Sequence, residues 1–322
     1  MEDFPIDLAD FRNRFSTEEA CIDYLISLRW PDGIVCPMCG SSQIRRTTRG
    51  LFECKDCLRQ TSVTAGTLFH NTRKPLRLWF EAMWHITNQK YGANALGLQR
   101  ALGLGSYHTA WKWLHKFRRA MVRPGRDNLS GVVEIDETYI GGKSSGKRGR
   151  GAENKCLVAV AVEDKSQISP TGKGIGRIRL KLIPDASADS LNVFVQEHIE
   201  QGSNIRTDGW TGYQTIPTLG YKHTVVGSKE LNIAHLTISL LKRWLLGTYQ
   251  GAVSSVHLAY YLDEFTFRFN RRTSQSRGKL FYRLVQQSLL SDPVPGRKIT
   301  GAKPADIQAA TGNAWELHDI PF

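Results

Sequence analysis

The sequence contains no uninterrupted apolar run approaching the roughly 18 residues that a membrane-spanning helix needs. Its opening, Met-Glu-Asp-Phe-Pro-Ile-Asp, lacks the basic-then-apolar layout of a secretory signal. Both absences predict a cytoplasmic protein with no membrane partner. Cysteine is sparse too, at 6 residues. Four of the six fall in two Cys-x-x-Cys pairs, which in a reducing compartment argues for metal rather than disulfide bridges. Cys21 lies on a helical run without a cysteine partner and reads as a buried structural residue. Acidic residues are in deficit: Asp+Glu 30 against Lys+Arg 43 gives a net charge of +13 and a pI near 9.6. Such a bias points to a polyanionic partner, nucleic acid foremost, and Trp and Tyr interleaved with the basic residues suit base stacking. A hydrophobic content of 41% supplies ordinary cores, and 322 residues suffice for two or three domains.

Ser16-Thr-Glu-Glu19 has the form of a capping box ahead of a short helix over 20–28. Cys36-Pro-Met-Cys39 and Cys54-Lys-Asp-Cys57 then stand fourteen residues apart. Each pair can form a knuckle, and four thiolates satisfy the tetrahedral preference of Zn²⁺, so the segment reads as a zinc ribbon. A redox dithiol needs one pair and a βαβ setting, neither of which fits. A ribbon this small has too little core to stand without its metal. Its Arg45, Arg46, Arg49, Lys55 and Arg59 form either a DNA-contacting surface or a solvated face.

Three helices are expected over 75–86, 93–102 and 106–121, the last two joined by the short turn Gly103-Leu-Gly105. That arrangement suggests helix-turn-helix. Ser106, Tyr107, His108 and Thr109 would open the recognition helix, with Lys112, Lys116, Arg118 and Arg119 holding phosphates. Trp111, Trp113 and Phe117 suit equally the core of a plain helical bundle.

After a Pro- and Gly-containing linker over 122–128, Gly131-Val-Val-Glu-Ile-Asp-Glu-Thr-Tyr-Ile-Gly-Gly142 reads as a strand. Asp136 stands in it where an apolar residue would be expected. Taken alone, Asp-Glu after an apolar run is more often a solvated strand end; beside a second carboxylate it can bind a divalent ion for phosphoryl chemistry. The basic loop that follows, with Lys143, Lys147, Arg148 and Arg150, can wrap a DNA backbone; it lacks the upstream glycine of a Walker phosphate loop. Strands over 156–163 and 177–183, a helix over 187–199 and a short strand ending on Asp208 follow. Three meandering strands, a crossover helix and a fourth strand ending in an acid is, by analogy, the order of a ribonuclease-H-like fold, whose first and fourth strands are neighbours. Residues 222–226 supply a fifth strand. On a final helix ending at Gly247, His235 and Lys242 are seven residues apart and share a face.

Together, Arg29-Trp-Pro-Asp-Gly33, the cysteine pairs, Glu134-Ile-Asp-Glu-Thr-Tyr139, Thr207-Asp-Gly-Trp210, Lys242-Arg-Trp-Leu-Leu-Gly-Thr248 and Tyr261-Leu-Asp-Glu-Phe-Thr-Phe-Arg-Phe-Asn-Arg-Arg272 resemble one family. It is the ISXO-like group of prokaryotic insertion-sequence transposases, with an N-terminal zinc ribbon and a DDE/N-type ribonuclease-H-like catalytic domain. The likeness covers about 20–290. It implies that Asp136 and Asp208 are the first two acids of the catalytic triad and that Lys242 is the basic residue beyond the third. The third position, commonly Glu or Asn, is His235 here; imidazole suits Mn²⁺ better than Mg²⁺. Glu230, Asp263 and Glu264 are the other acids near that position, the last two reading as salt-bridged structure.

The expected architecture is therefore multidomain α+β: an N-terminal helix and zinc ribbon (1–72), a helix-turn-helix-like three-helix domain (73–124), a ribonuclease-H-like α/β catalytic domain with a mixed sheet (125–290) and a loosely packed C-terminal extension (291–322). The resemblance implies a nucleoid-associated enzyme with structural Zn²⁺ at Cys36, Cys39, Cys54 and Cys57, and Mg²⁺ or Mn²⁺ at Asp136, Asp208 and His235. It would bind terminal inverted repeats, cleave a strand, and transfer it to target DNA as a homodimer or larger synaptic assembly. Two alternatives remain open: a non-catalytic DNA-binding protein, as a decayed copy or regulator would be, and a stand-alone ribonuclease-H-like nuclease.

Overall fold

The computed structural model describes residues 2–123, 125–141, 155–169, 174–250 and 253–301, so the basic loop with Lys143, Lys147, Arg148 and Arg150 lies outside the described residues. The described chain forms two compact units, one from residues 2–123 together with 274–301 and the other from 125–273.

The first unit opens with α1 (Leu8–Arg14), capped by Asp7, and α2 (Glu18–Arg29). Thr17, rather than the expected Ser16, caps α2: its hydroxyl accepts from Ala20 N at 3.2 Å, while Ser16 Oγ turns back to donate to Asn13 O. Strands β1 (Ile44–Arg46), β2 (Phe52–Cys54) and β3 (Gln60–Thr61) form an antiparallel sheet around the cysteine pairs. Helices α3 (Leu76–Asn88), α4 (Ala95–Leu102) and α5 (Tyr107–Ala120) follow, close to their expected bounds. α3 begins after Pro75, which has no side chain able to cap it. Its free N–H groups are taken by Glu18, whose carboxylate accepts from Leu76 N at 2.7 Å and Arg77 N at 3.2 Å. Between α4 and α5, Gly103 takes the left-handed conformation (φ 60°) that ends a helix at least cost to glycine.

The second unit is a five-stranded sheet with helices on both faces. Its strands β4 (Val132–Ile140), β5 (Cys156–Asp164) and β6 (Ile175–Ile183) make an antiparallel meander. Helix α6 (Ala188–His198), capped by Ser187, carries the chain to β7 (Asn204–Thr207), which pairs parallel with β4; β8 (Lys222–Val225) pairs parallel with β7. The order β6-β5-β4-β7-β8 is the mixed sheet anticipated from the sequence. Helix α7 (Asn232–Tyr249) runs through Gly247, where a Cβ would meet open space, and stops instead at Gln250 in a left-handed conformation. α8 (Leu258–Phe269) completes the unit.

Two cores flank the sheet. Val133, Ile135, Leu157, Ala159 and Ala161 meet Leu191, Phe194 and Val195 of α6 on one face. Val158, Val160 and Val162 meet Ile238, Leu241, Trp244 and Leu245 of α7 and Leu262, Phe265 and Phe269 of α8 on the other. The period of two along β4 and β5 thus sends alternate residues to different helices.

The chain then returns to the first unit through α9 (Arg277–Leu290) and α10 (Gly296–Gly301), which corrects the expectation that the catalytic domain continues to 290. The reason is aromatic packing. Phe281, wholly buried, meets the rings of Phe11, Phe15, Tyr24, Phe80 and Trp84. Gly278 lets α9 press against the N-terminal segment: a Cβ there would stand 1.5 Å from Pro5 O. Phe281→Ala should therefore destabilise the first unit by about 3–5 kcal/mol, as for other buried Phe truncations. Denaturant unfolding of the full chain, followed by tryptophan fluorescence, measures this; a loss below about 1 kcal/mol would count against the packing.

Candidate active site and metal centre

β4 is hydrogen-bonded on both sides, and its pleat turns Glu134 and Asp136 toward α7 while Val133 and Ile135 enter the opposite core. The parallel register pairs Glu134 with Arg206, and continuing it two residues sets Asp136 level with Asp208, just beyond the end of β7. Neighbouring strands lie about 4.8 Å apart. Asp208 Oδ1 accepts from Trp210 N at 3.0 Å, which fixes the turn after β7. Asp136 Oδ1 accepts from Glu137 N at 2.8 Å, and Oδ2 faces His235 Nε2 of α7 at 3.2 Å. The Asp136 side chain is 18% exposed and that of His235 43%, so the pair opens to solvent on one side.

Burial pushes the Asp136 carboxyl above its ordinary value and the charge of Asp208 adds to the rise; the Glu137 N–H, His235 and Lys242 pull it down. Asp136, Asp208, His235 and Lys242 therefore share one electrostatic neighbourhood. Lys242, two turns beyond His235, is exposed. Asp136, Asp208 and His235 do not all come within 4.8 Å of one another; among the described residues only the cysteines form a group of three or more that does. Two carboxylates and an imidazole are nevertheless donors of the kinds that divalent cations take, and Asp136 and His235 already face each other at 3.2 Å.

Of the other acids near the third position, Glu264 and Glu230 are engaged elsewhere, while Asp263 Oδ2 is buried without a hydrogen-bond partner among the described residues. Glu264 pairs with Arg268 at 2.9 Å and accepts from Tyr249 Oη at 3.1 Å, as expected of a structural residue. Asp263 sits by Arg126, where burial raises it to about 7. Glu230 accepts from Gly227 N in the turn before α7.

In the first unit the sulfurs of Cys36, Cys39, Cys54 and Cys57 all lie within 4.8 Å of one another, with Cys36 to Cys57 at 3.5 Å and Cys39 to Cys54 at 3.6 Å. Four sulfurs about 2.3 Å from a tetrahedral zinc stand about 3.8 Å apart, so the cage fits. Backbone N–H groups of Cys39 and Met38 pull the Cys36 thiol down to about 6, and that of Cys57 lowers Cys54, whereas Cys39 and Cys57, crowded against the other sulfurs, are raised.

The basic row expected on α5 requires correction. Arg118 is 1% exposed and cannot reach a phosphate, and Lys116 lies over the Trp79 ring at 5.6 Å. Trp113 stacks on Trp79 at 3.9 Å and Phe117 is fully buried, so α5 is a core helix of its unit. Lys112 and Arg119 are half-buried, while Tyr107 and His108 at its N-terminus are exposed.

Residues 128–270 match the ISXO2-like transposase domain and residues 16–60 the transposase zinc-ribbon domain, together more than half of the chain. The chain belongs to the ISXO2-like transposases. A curated relative from Halobacterium salinarum, named as an uncharacterized protein in transposable element ISH50, is 29% identical over 299 residues, covering 86% of this transposase and 98% of the relative. Crystal structures of the Mos1 strand transfer complex and of a pre-cleavage Mos1 transpososome each align over 74% of the chain, and over 79% and 80% of theirs, at 14% identity. Their TM-scores of 0.27 carry no argument. Among the described residues no helix is long and apolar enough to cross a membrane.

Two residues that sequence reasoning gave no role complete the site. Glu134, 1% exposed, and Arg206 join β4, β7 and α7. The only advance signal was the two-residue spacing that places Glu134 on the face of Asp136 and Arg206 two residues before Asp208.

The ribbon supplies a direct test of its metal. Cys54→Ser or treatment with a zinc chelator should release bound zinc and expose the amides of 36–61 to hydrogen exchange, leaving those of β4 and β5 protected. Unchanged protection in the ribbon after zinc loss would contradict a metal-held fold.

Proposed function

We propose that this transposase binds the terminal inverted repeats of its insertion sequence and catalyses metal-dependent DNA cleavage followed by strand transfer. The observation that carries the reading is the meeting of Asp136 and His235 at 3.2 Å beside the charge of Asp208, within the ISXO2-like transposase domain. Asp136, Asp208 and His235 are the residues that would hold divalent cations, Mg²⁺ or Mn²⁺. Bound there, the ions supply positive charge to the attacking and departing oxygens of a phosphodiester.

The protein's own share is orientation and charge. Asp136 is held on β4 and Asp208 in the turn just beyond neighbouring β7, so their carboxylates need little reorganisation as charge moves during the reaction. Lys242 extends the cationic surface two turns along α7, where it meets a phosphate near the cut. Cleavage joins a water oxygen to phosphorus and breaks the bond to O3′, freeing a 3′-hydroxyl at the element end. In transfer that hydroxyl joins a target phosphorus and displaces the target's own O3′. Because two ends must be joined together, the working form is a homodimer or larger synaptic assembly in the nucleoid. The zinc ribbon, the exposed N-terminus of α5 and the basic loop over 143–150 are the DNA-recognition surfaces of this reading, and net charge +13 supports it.

Incubating the protein with DNA carrying the flanking repeats and Mg²⁺ or Mn²⁺ should give nicked and joined products. Asp136→Asn should reduce both by roughly a thousandfold or more, equal to about 4 kcal/mol of transition-state stabilisation. Repeat binding should survive with its salt dependence intact. Binding without any cleavage by the unaltered protein would favour a non-catalytic DNA-binding protein, and cleavage without joining a simple nuclease.

A further inference from the structure

Glu134 is buried to 1% exposure in the sheet, yet its carboxylate is fully engaged. Oε2 accepts from two backbone N–H groups at the start of α7, Ile233 N and Ala234 N, both at 3.0 Å. Oε1 faces Arg206 Nη1 at 3.4 Å, and the same guanidinium nitrogen is 3.4 Å from Asp164 Oδ2 on β5. α7 has no capping side chain of its own, since Leu231 occupies its N-cap, so Glu134 supplies the acceptor that the first turn lacks.

Each contact falls within two residues of a proposed metal ligand. Glu134 precedes Asp136 by two on β4, Arg206 precedes Asp208 by two on β7, and Ala234 immediately precedes His235 on α7. One carboxylate thus ties together the three elements whose relative placement decides whether the ligands meet. Beside it the contact between β4 and this turn of α7 is that of Asp136 with His235 itself, and a shift of about 1 Å in His235 is enough to spoil a ligand set.

Resting on the metal-dependent reading above, we infer that Glu134 is the positioning residue of the active site: it docks the N-terminus of α7 and, through Arg206, the end of β7, so that His235 and Asp208 are held against Asp136. It touches neither substrate nor metal. Gln at this position retains an acceptor for both α7 N–H groups and loses the charge that holds Arg206; Ala loses both.

The test compares the full-length protein with Glu134→Gln, Glu134→Ala and Asp136→Asn. Mn²⁺ binding is read by electron paramagnetic resonance of the free ion, alongside repeat binding, thermal unfolding and cleavage. Glu134→Ala should bind Mn²⁺ about ten- to a hundredfold more weakly, as other losses of groups supporting metal ligands do, with Glu134→Gln between it and the unaltered protein. Repeat binding should be unchanged in both. If Glu134→Ala fails to fold, Glu134→Gln decides alone. Folded Glu134 variants that bind Mn²⁺ as tightly as the unaltered protein overturn the inference. Failure of Glu134→Gln itself to fold also overturns it, placing the carboxylate's role in the fold at large. Should Asp136→Asn bind Mn²⁺ and cleave like the unaltered protein, it is the metal-site reading that falls.

Discussion

The pleat of β4 is the constraint on which the rest depends. A strand paired on both edges cannot rotate, so alternate side chains have fixed destinations. Val133 and Ile135 fill the core under α6, while Glu134 and Asp136 face α7. A slip of one residue in register would bury both carboxylates among Leu191, Phe194 and Val195 and send two apolar side chains to the solvent-open site. The apolar residues thus fix the orientation of the acids, and β5, with Val158, Val160 and Val162 on the α7 face, enforces the same choice from the next strand.

The two units use the same device for a helix that cannot cap itself. α3 follows Pro75 and takes its acceptors from Glu18 of α2; α7 follows Leu231 and takes its acceptor from Glu134 of β4. A cap borrowed from another element satisfies the free N–H groups and also fixes where the helix starts relative to its donor. In the first unit that placement serves an aromatic core around Phe281. In the second it sets an imidazole beside a carboxylate.

What could be read from the sequence followed how local the cause was. The cysteine spacing sufficed for the ribbon because the ligands define the fold, and the apolar alternation of 156–163 and 177–183 sufficed for the meander. Asp136 and Asp208 stood out because each interrupts or ends a strand pattern. The return of α9 to the first unit was not legible: its apolar face announces burial but does not say against which unit, and only Phe11, Phe15 and Phe80 settle that. The burial of Arg118 was hidden for a related reason, since a basic residue on an amphipathic helix reads as exposed until neighbouring helices cover it. Glu134 left no distinctive mark because its partners are backbone N–H groups about a hundred residues away.

The central claim is that Asp136 holds divalent ions together with Asp208 and His235. Anomalous diffraction from a crystal of the full chain grown with Mn²⁺ tests it most directly. The account predicts manganese density about 2 Å from the Asp136 carboxylate, with Asp208 or His235 completing the coordination. Manganese bound away from Asp136, or none at saturating concentration, would contradict it.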